Sequence, residues 1–346
     1  MKKIFTEKRL VLFTALLAAA TLGILLFTWL AKTPVEEVTT YSMGSYVQQT
    51  VYGGSAKDAA AEAANEIASL DDLISWRKIG GNIQQLNANA GGAWQKLDPK
   101  AFSVLQSALS VAEKSGGAFD PTIAPLSRLW NFDDNPTTPP KDEDILKFKT
   151  MVDYTKIKTA EDTGSACIAK KGYAIDLGGV GKGAACDTAA QIYEKRKVQG
   201  GIVAVGGSVG IYGEKPNRAP WNVAVRDPKS DGALGSLSLT NGFISTSGSY
   251  EKCFTDKGKR YHHILDPKTG YPAESGLISV TVVCDNGAVS DALATACFVL
   301  GLEKSLPLLK EFAAEAIFID EKNLITVTEG LQSRFTLSSE EYQLHE

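Results

Sequence analysis

The apolar and polar positions divide the chain unevenly. Residues 10–31, LVLFTALLAAATLGILLFTWLA, run twenty-two positions without a charge and follow Lys2, Lys3, Lys8 and Arg9. A helix that crosses the hydrocarbon layer needs about 20 apolar residues. The basic cluster ahead of the run sets the orientation, with the N-terminus in the cytoplasm and everything after Lys32 outside. The run exceeds the about 7–15 apolar residues of a signal peptide, and Phe27 to Ala31 offers no clean small-residue cleavage site. The pattern therefore predicts an N-terminal membrane anchor over residues 1–32, with a cleaved signal segment as the alternative, a linker over 33–40 and one catalytic domain over 41–346.

Beyond the linker, alternation predicts a strand at Tyr46–Tyr52, closed by Gly53-Gly54. Helical spacing predicts an alanine-rich helix over Ala56–Ser75 and a second over Pro99–Ser115, stopped by Gly116-Gly117. Residues 79–94 read as a polar loop, and Ala118 to Pro140 as a turn-rich segment. After Cys167 the pattern is strand (172–177), glycine loop (178–183), helix (184–197). Strands are predicted at 202–207, 221–227, 236–240, 243–248, 261–265 and 277–283. Helices at 291–300 and 303–312 and short strands at 316–319 and 324–328 close the chain. Strands dominate the second half with helices interspersed, which favours an α+β fold over a doubly wound parallel sheet.

Composition narrows the class. The chain of 346 residues is 44% hydrophobic and 22% charged, which excludes disorder, collagen-like repeats and a coiled coil. Residues 1–32 carry five bases against the single acid Glu7, so of the net charge of −4 the remainder holds −8. Such a domain is not drawn to phosphate backbones, and no nucleic-acid partner is expected. Five cysteines without a C-x-x-C pair argue against zinc and against a thioredoxin-like site.

Three segments carry candidate chemistry. Asp176 to Asp187, DLGGVGKGAACD, brings four glycines to a helix start, where free N–H groups suit a phosphate. A tight strand–helix turn explains the same run equally well. A Walker loop needs Ser or Thr after Gly-Lys, and Gly183 stands there. The spacing Gly179, Gly181, Ala184 satisfies the loose dinucleotide pattern, but the next strand lacks the acid that a nicotinamide nucleotide requires. Asp291 and Thr295, four apart on a helix, can point at one place and hold a hard cation such as Mg²⁺. An aspartate at a helix start and a threonine bonding its own turn is the plainer explanation of that pair. His262 and His263 lie on a predicted strand before the Asp266 turn, and either is a general base or a structural strand residue.

Seven segments in order give these candidates a common meaning. They are Met43-Gly44-Ser45; Ser75-Trp76 followed by Asn82–Asn87; Gly117–Thr122 with Leu129–Phe132 close behind; Asp176–Asp187; Ile244–Gly248; His263–Gly270; and Ser290–Thr295. Together they resemble the FAD:protein FMN transferase (ApbE) family over about residues 38–340. The resemblance implies an enzyme that takes FAD as substrate and uses Mg²⁺. It would transfer FMN to a Thr or Ser hydroxyl of an electron-transfer protein and release AMP. It implies Asp291, Thr295 and the backbone carbonyl of Gly181 as the metal site. The positions that would meet the flavin nucleotide are Met43, Trp76, Ala118, Phe119, Asp120, Gly178, Gly179, Lys182, Ala184, His263 and Ile264. His263 would also be the base. With the anchor, this places the enzyme at the inner (plasma) membrane, its catalytic domain on the periplasmic side. The acceptor would then be an extracytoplasmic or membrane electron-transfer subunit. Asn82, Ser208 and Ser249 depart from the usual family residues. An FAD-binding protein without transfer, or an FAD pyrophosphatase that yields FMN and AMP, is the alternative.

Overall fold

The computed structural model describes Thr21 and residues 33–345. The anchor expected over residues 1–32 lies, apart from Thr21, outside the described residues. Among the described residues no helix is long and apolar enough to cross a membrane.

Nine strands among those residues form one sheet: β1 (Val35–Ser42), β2 (Ser45–Tyr52), β3 (Gly200–Val205), β4 (Ser208–Gly213), β5 (Gly242–Gly248), β6 (Leu277–Cys284), β7 (Glu315–Asp320), β8 (Leu324–Val327) and β9 (Gln343–Leu344). They lie side by side in chain order. Every neighbouring pair is antiparallel except β8–β9. An antiparallel sheet with helices inserted between strands is the expected α+β arrangement. Four helices position the site: α1 (Ala56–Ile74), α2 (Pro99–Lys114), α3 (Gly178–Lys195) and α4 (Gly287–Leu300).

One face of the sheet is buried under these helices. Val47, Val51, Val203 and Val205 pack there against Ala59, Ala63 and Ile67 of α1 and Ala185 and Ala189 of α3. The opposite face of the sheet, with Ile211 and Ile244, packs on Trp221, Val223 and Leu237, which belong to a three-stranded sheet (Trp221–Arg226, Ala233–Leu239, Phe335–Leu337). Period-two alternation of β-branched residues lets one strand serve both cores.

Several expectations are corrected. The predicted linker is strand from Val35 onward, because VEEVTTYS pairs along its whole length with β2 through backbone groups that any side chain permits. Within the predicted loop 79–94, Asn82–Ala88 is a helix that buries Ile83 and Leu86, three residues apart. The turn-rich segment holds another helix, Ala124–Trp130, with Pro125 in its first turn. Residues 172–177 do not form a strand. Their backbone makes one isolated bridge, Ala174 to Ile123, with Asp176 N donating to the Pro121 carbonyl oxygen, and is otherwise held by a side chain: Asn87 accepts from Ile175 N at 2.6 Å and donates to Ile175 O at 2.8 Å. The glycine run is not a loop but the first turns of α3. Helix α4 begins at Gly287, where Asn286 caps it by accepting from Val289 N at 2.8 Å, so Asp291 lies in its second turn.

Candidate active site

Glycine normally weakens a helix by about 1 kcal/mol relative to alanine. Four of them open α3, and at Gly183 the neighbour is another backbone, while Gly179 and Gly181 lie against side chains. A Cβ on Gly183 would stand 1.9 Å from the carbonyl oxygen of Gly287, and one on Gly287 would stand 2.3 Å from that of Gly183. Residues four apart share a helix face, and the two faces match rung by rung. Gly179 meets Thr295, Gly183 meets both Asp291 and Gly287, and Asp187 bonds Gly287. The order is reversed between the helices, so they run antiparallel along this seam.

The seam delivers a buried carboxylate to the glycine run. Asp291, 3% exposed, accepts from Gly183 N at 3.0 Å, and the Lys182 ammonium stands 3.7 Å from its other oxygen. One turn on, the Thr295 hydroxyl is 3.2 Å from that of Ser247 on β5. Gly178 is exposed and Gly179 half-buried, so this end of the helix opens to solvent. Gly181 lies between, its α-carbon facing Ile74 and Met43.

Met43 sits at the tip of the β1–β2 hairpin. It has a φ of 55° and Gly44 a φ of 68°, the geometry of a two-residue type I′ turn. A left-handed methionine costs about 1 kcal/mol or more. Asp71 at the end of α1 holds it there by accepting from Met43 N at 3.0 Å and from the Ser42 hydroxyl at 3.1 Å. Trp76, just past α1, has the Arg77 guanidinium 4.3 Å and that of Arg128 4.7 Å from its ring centre. Arg77 pairs with Asp133 at 2.6 Å, and Lys252 reaches the same carboxylate. Burial pushes the Asp133 carboxyl up, but these two cations outweigh it and leave it below the ordinary value.

His263 follows the hairpin of Cys253–Asp256 and Lys259–His262. Its Nδ1 is enclosed without a hydrogen-bond partner. Burial, with the Lys182 and Lys252 ammonium groups nearby, pushes its pKa down to about 3. The ring is therefore neutral at neutral pH. His262 is buried, with Nε2 3.1 Å from the Ala273 carbonyl oxygen and its ring edge-on to Phe298 of α4. Its Nδ1, like that of His263, is enclosed without a hydrogen-bond partner.

The remaining predicted residues divide. Phe119 packs against Gly179 and shapes the mouth of the run. Ala118, Ala184 and Ile264 are buried. Asp120 is engaged by the protein itself: one oxygen accepts from Thr122 N and Oγ1 in its own turn, the other ties that turn to the distant Tyr154 N, and burial raises its pKa. Ser247, Asp71, Arg77, Arg128, Asp133 and Lys252 were missed as site residues. They come from separate segments with no shared spacing, although Ser247 lies inside the quoted Ile244–Gly248 run.

Among the described residues no group of three or more His, Cys, Asp or Glu could hold a metal. The oxygens at Asp291, Thr295 and Ser247 form a one-carboxylate, hydroxyl-rich set. That chemistry fits a hard ion that keeps waters and substrate oxygens, and it does not fit zinc.

A mainly antiparallel sheet carrying a backbone-to-backbone helix seam, with an oxygen-lined seat beside a glycine helix start, makes this an α+β domain. The ApbE family model matches residues 43–318, and the chain belongs to that family. It is 34% identical over 278 residues to the FAD:protein FMN transferase of Treponema pallidum, covering 76% of this chain and 77% of that one. The ApbE protein of Thermotoga maritima superposes with a TM-score of 0.80 at 31% identity, over 86% of this chain and 98% of that one. The flavinyl transferase ApbE of Pseudomonas stutzeri, in its apo form, gives 0.78 at 28% identity, over 89% and 98%.

Proposed function

We propose that this chain is a flavin transferase that moves FMN from FAD to a threonine or serine hydroxyl of a partner protein, with AMP as the leaving group. The observation that carries the reading is the seam. It sets the Asp291 carboxylate and the Thr295 hydroxyl against the solvent-open start of a glycine helix. Gly178 N at that start already donates to Asp176 and Val180 N to Leu177, so the Lys182 ammonium is the main group there suited to the diphosphate. Asp291, Thr295 and the Gly181 carbonyl would hold Mg²⁺, which when bound offsets charge on the transferring phosphoryl group.

In the transfer, the acceptor oxygen bonds to the FMN phosphorus as the anhydride bond to AMP breaks. The hydroxyl proton passes to His263. An imidazole with a pKa of about 3 is a poor base in the free enzyme. Burial depresses it most and the Lys182 and Lys252 ammonium groups add to this; an anionic diphosphate drawn to Lys182 would offset only the ammonium contribution and so raise the proton affinity of the ring when substrate is present. The Trp76 indole would stack on the flavin once one of the guanidinium groups lying over its ring, Arg77 or Arg128, gives way. The long uncharged run at the N-terminus supports an anchor that keeps the domain on the outer side of the plasma membrane, where an electron-transfer subunit would be the acceptor.

The test is incubation with FAD, Mg²⁺ and a candidate acceptor, followed by mass spectrometry. An acceptor heavier by one FMN, dependent on Mg²⁺, is the expected result. FMN and AMP released with no adduct would instead assign an FAD pyrophosphatase.

A further inference from the structure

Asp187 has no part in the chemistry above, yet it occupies a costly place. It is the last of three residues spaced by four on α3, after Gly179 and Gly183, and the only one of them with a functional side chain. One carboxylate oxygen accepts from Gly287 N at 2.7 Å and the other from Ala288 N at 2.8 Å. Both oxygens are therefore committed to the first turn of α4. Burial raises its pKa to about 6. The titratable groups around it supply no cation: the Cys186 and Cys284 thiols, both pushed up by burial, and the exposed Asp285. The two N–H groups are what hold this carboxylate. At the start of helix α4 the Asn286 side chain satisfies only Val289 N, and Asp187, reaching across from α3, satisfies the two N–H groups ahead of it.

These bonds also tie two elements. Gly287, Asp291 and Thr295 lie four apart on the face of α4 that meets α3, and Gly183 N donates to Asp291 one turn beyond the Asp187 contact. A shift of α4 along its axis, or a rotation about it, would carry Asp291 away from the glycine run. Glycine faces resist approach but not sliding, because they present no side chain to interlock.

We propose that Asp187 is the positioning residue that fixes the register of α4 against α3 and so sets Asp291 and Thr295 at the glycine run. This deepens the transferase reading and rests on it. Partners that orient a ligating carboxylate typically change metal affinity or activity about 10–100-fold when lost.

The experiment compares the full chain with Asp187→Asn and Asn286→Ala. Asparagine keeps the size and one acceptor but sets a donor against a donor. Asn286→Ala weakens the same helix end without touching α3. Melting temperature, Mn²⁺ affinity by electron paramagnetic resonance, and kcat and KM for FAD with Mg²⁺ are read for each. Asp187→Asn is expected to weaken Mn²⁺ binding and kcat about tenfold or more, with KM for FAD changed less than about threefold. Asn286→Ala is expected to lower the melting temperature with kcat unchanged. Equal kcat and Mn²⁺ affinity in Asp187→Asn and the parent chain would overturn the proposal. So would losses in Asn286→Ala matching those in Asp187→Asn, which would reduce Asp187 to a helix cap. Absence of any FAD turnover by the parent chain would refute the transferase reading instead, while the Mn²⁺ comparison still judges the register.

Discussion

Replacing Gly183 by alanine probes the seam directly. The new methyl carbon would lie 1.9 Å from the Gly287 carbonyl oxygen and 2.8 Å from the Asp291 Cβ. Carbon and carbonyl oxygen normally approach no closer than about 3.3 Å. Both obstacles are on a helix, so no flexible chain end can swing aside, and α3 and α4 must part by about 1 Å or more. The 3.0 Å bond from Gly183 N to Asp291 then stretches to about 4 Å and is lost. Overpacking costs about 1–3 kcal/mol, and the lost bond to a buried carboxylate adds about 1.5–3 kcal/mol. At about 2–4 °C per kcal/mol for a large domain, the melting temperature should fall by about 10 °C. Gly54, whose Cβ would meet nothing within 4 Å, is the control. Calorimetric melting of Gly183→Ala and Gly54→Ala, with FMN transfer on both, makes the comparison. If Gly183→Ala melts with the control and transfers at full rate, the close-packed seam is wrong.

Asp291→Ala should abolish Mg²⁺-dependent FMN transfer while leaving the far-ultraviolet circular dichroism intact; undiminished adduct in the mass spectrum would remove the metal assignment. His263→Ala should lower kcat far more than it weakens FAD binding, measured by flavin fluorescence; equal losses would mark the histidine as structural. Asn87→Ala orphans the Ile175 N–H and carbonyl together and should cost about 2–4 kcal/mol in urea unfolding. A loss below 1 kcal/mol there would mean that another group already serves Ile175. For pH, burial holds His262 near 4 and His263 near 3, against 6.5 in a free histidine. The unfolded chain therefore binds more protons than the folded one below about 6.5, and stability should fall as pH drops from about 6.5 to about 4. The raised Asp187 carboxyl opposes this between about 4 and 6, but over fewer pH units. A melting temperature that stays level on acidification would contradict the buried, neutral histidines.

Much of this was legible from spacing alone. The four-residue interval between Asp291 and Thr295 placed both on one helix face, and the strand runs of the second half gave β5 and β6 nearly to the residue. Other features were hidden for identifiable reasons. Four glycines read as a loop because each disfavours a helix; the neighbour that requires a missing Cβ, Gly287, is more than a hundred residues away in the chain. VEEVTTYS carries too few apolar residues to look like a strand, yet an edge position asks for little more than a backbone. Residues 172–177 have strand composition, but their partners are a single bridge to Ile123 and the amide of Asn87, and a side chain standing in for part of a strand leaves no mark on periodicity. Asn286 did carry a readable N-cap signal, which would have moved the start of α4 ahead of Asp291. The charges around Trp76 arrive from three unconnected segments, so only the fold could assemble them.

Where α3 crosses α4, main chain lies on main chain. Most helix pairs tolerate small errors because methyl groups and flexible stems between them can reorient, and here that cushion is missing. With Asp187 and Asp291 pinning its register, the pair would move as a single casting.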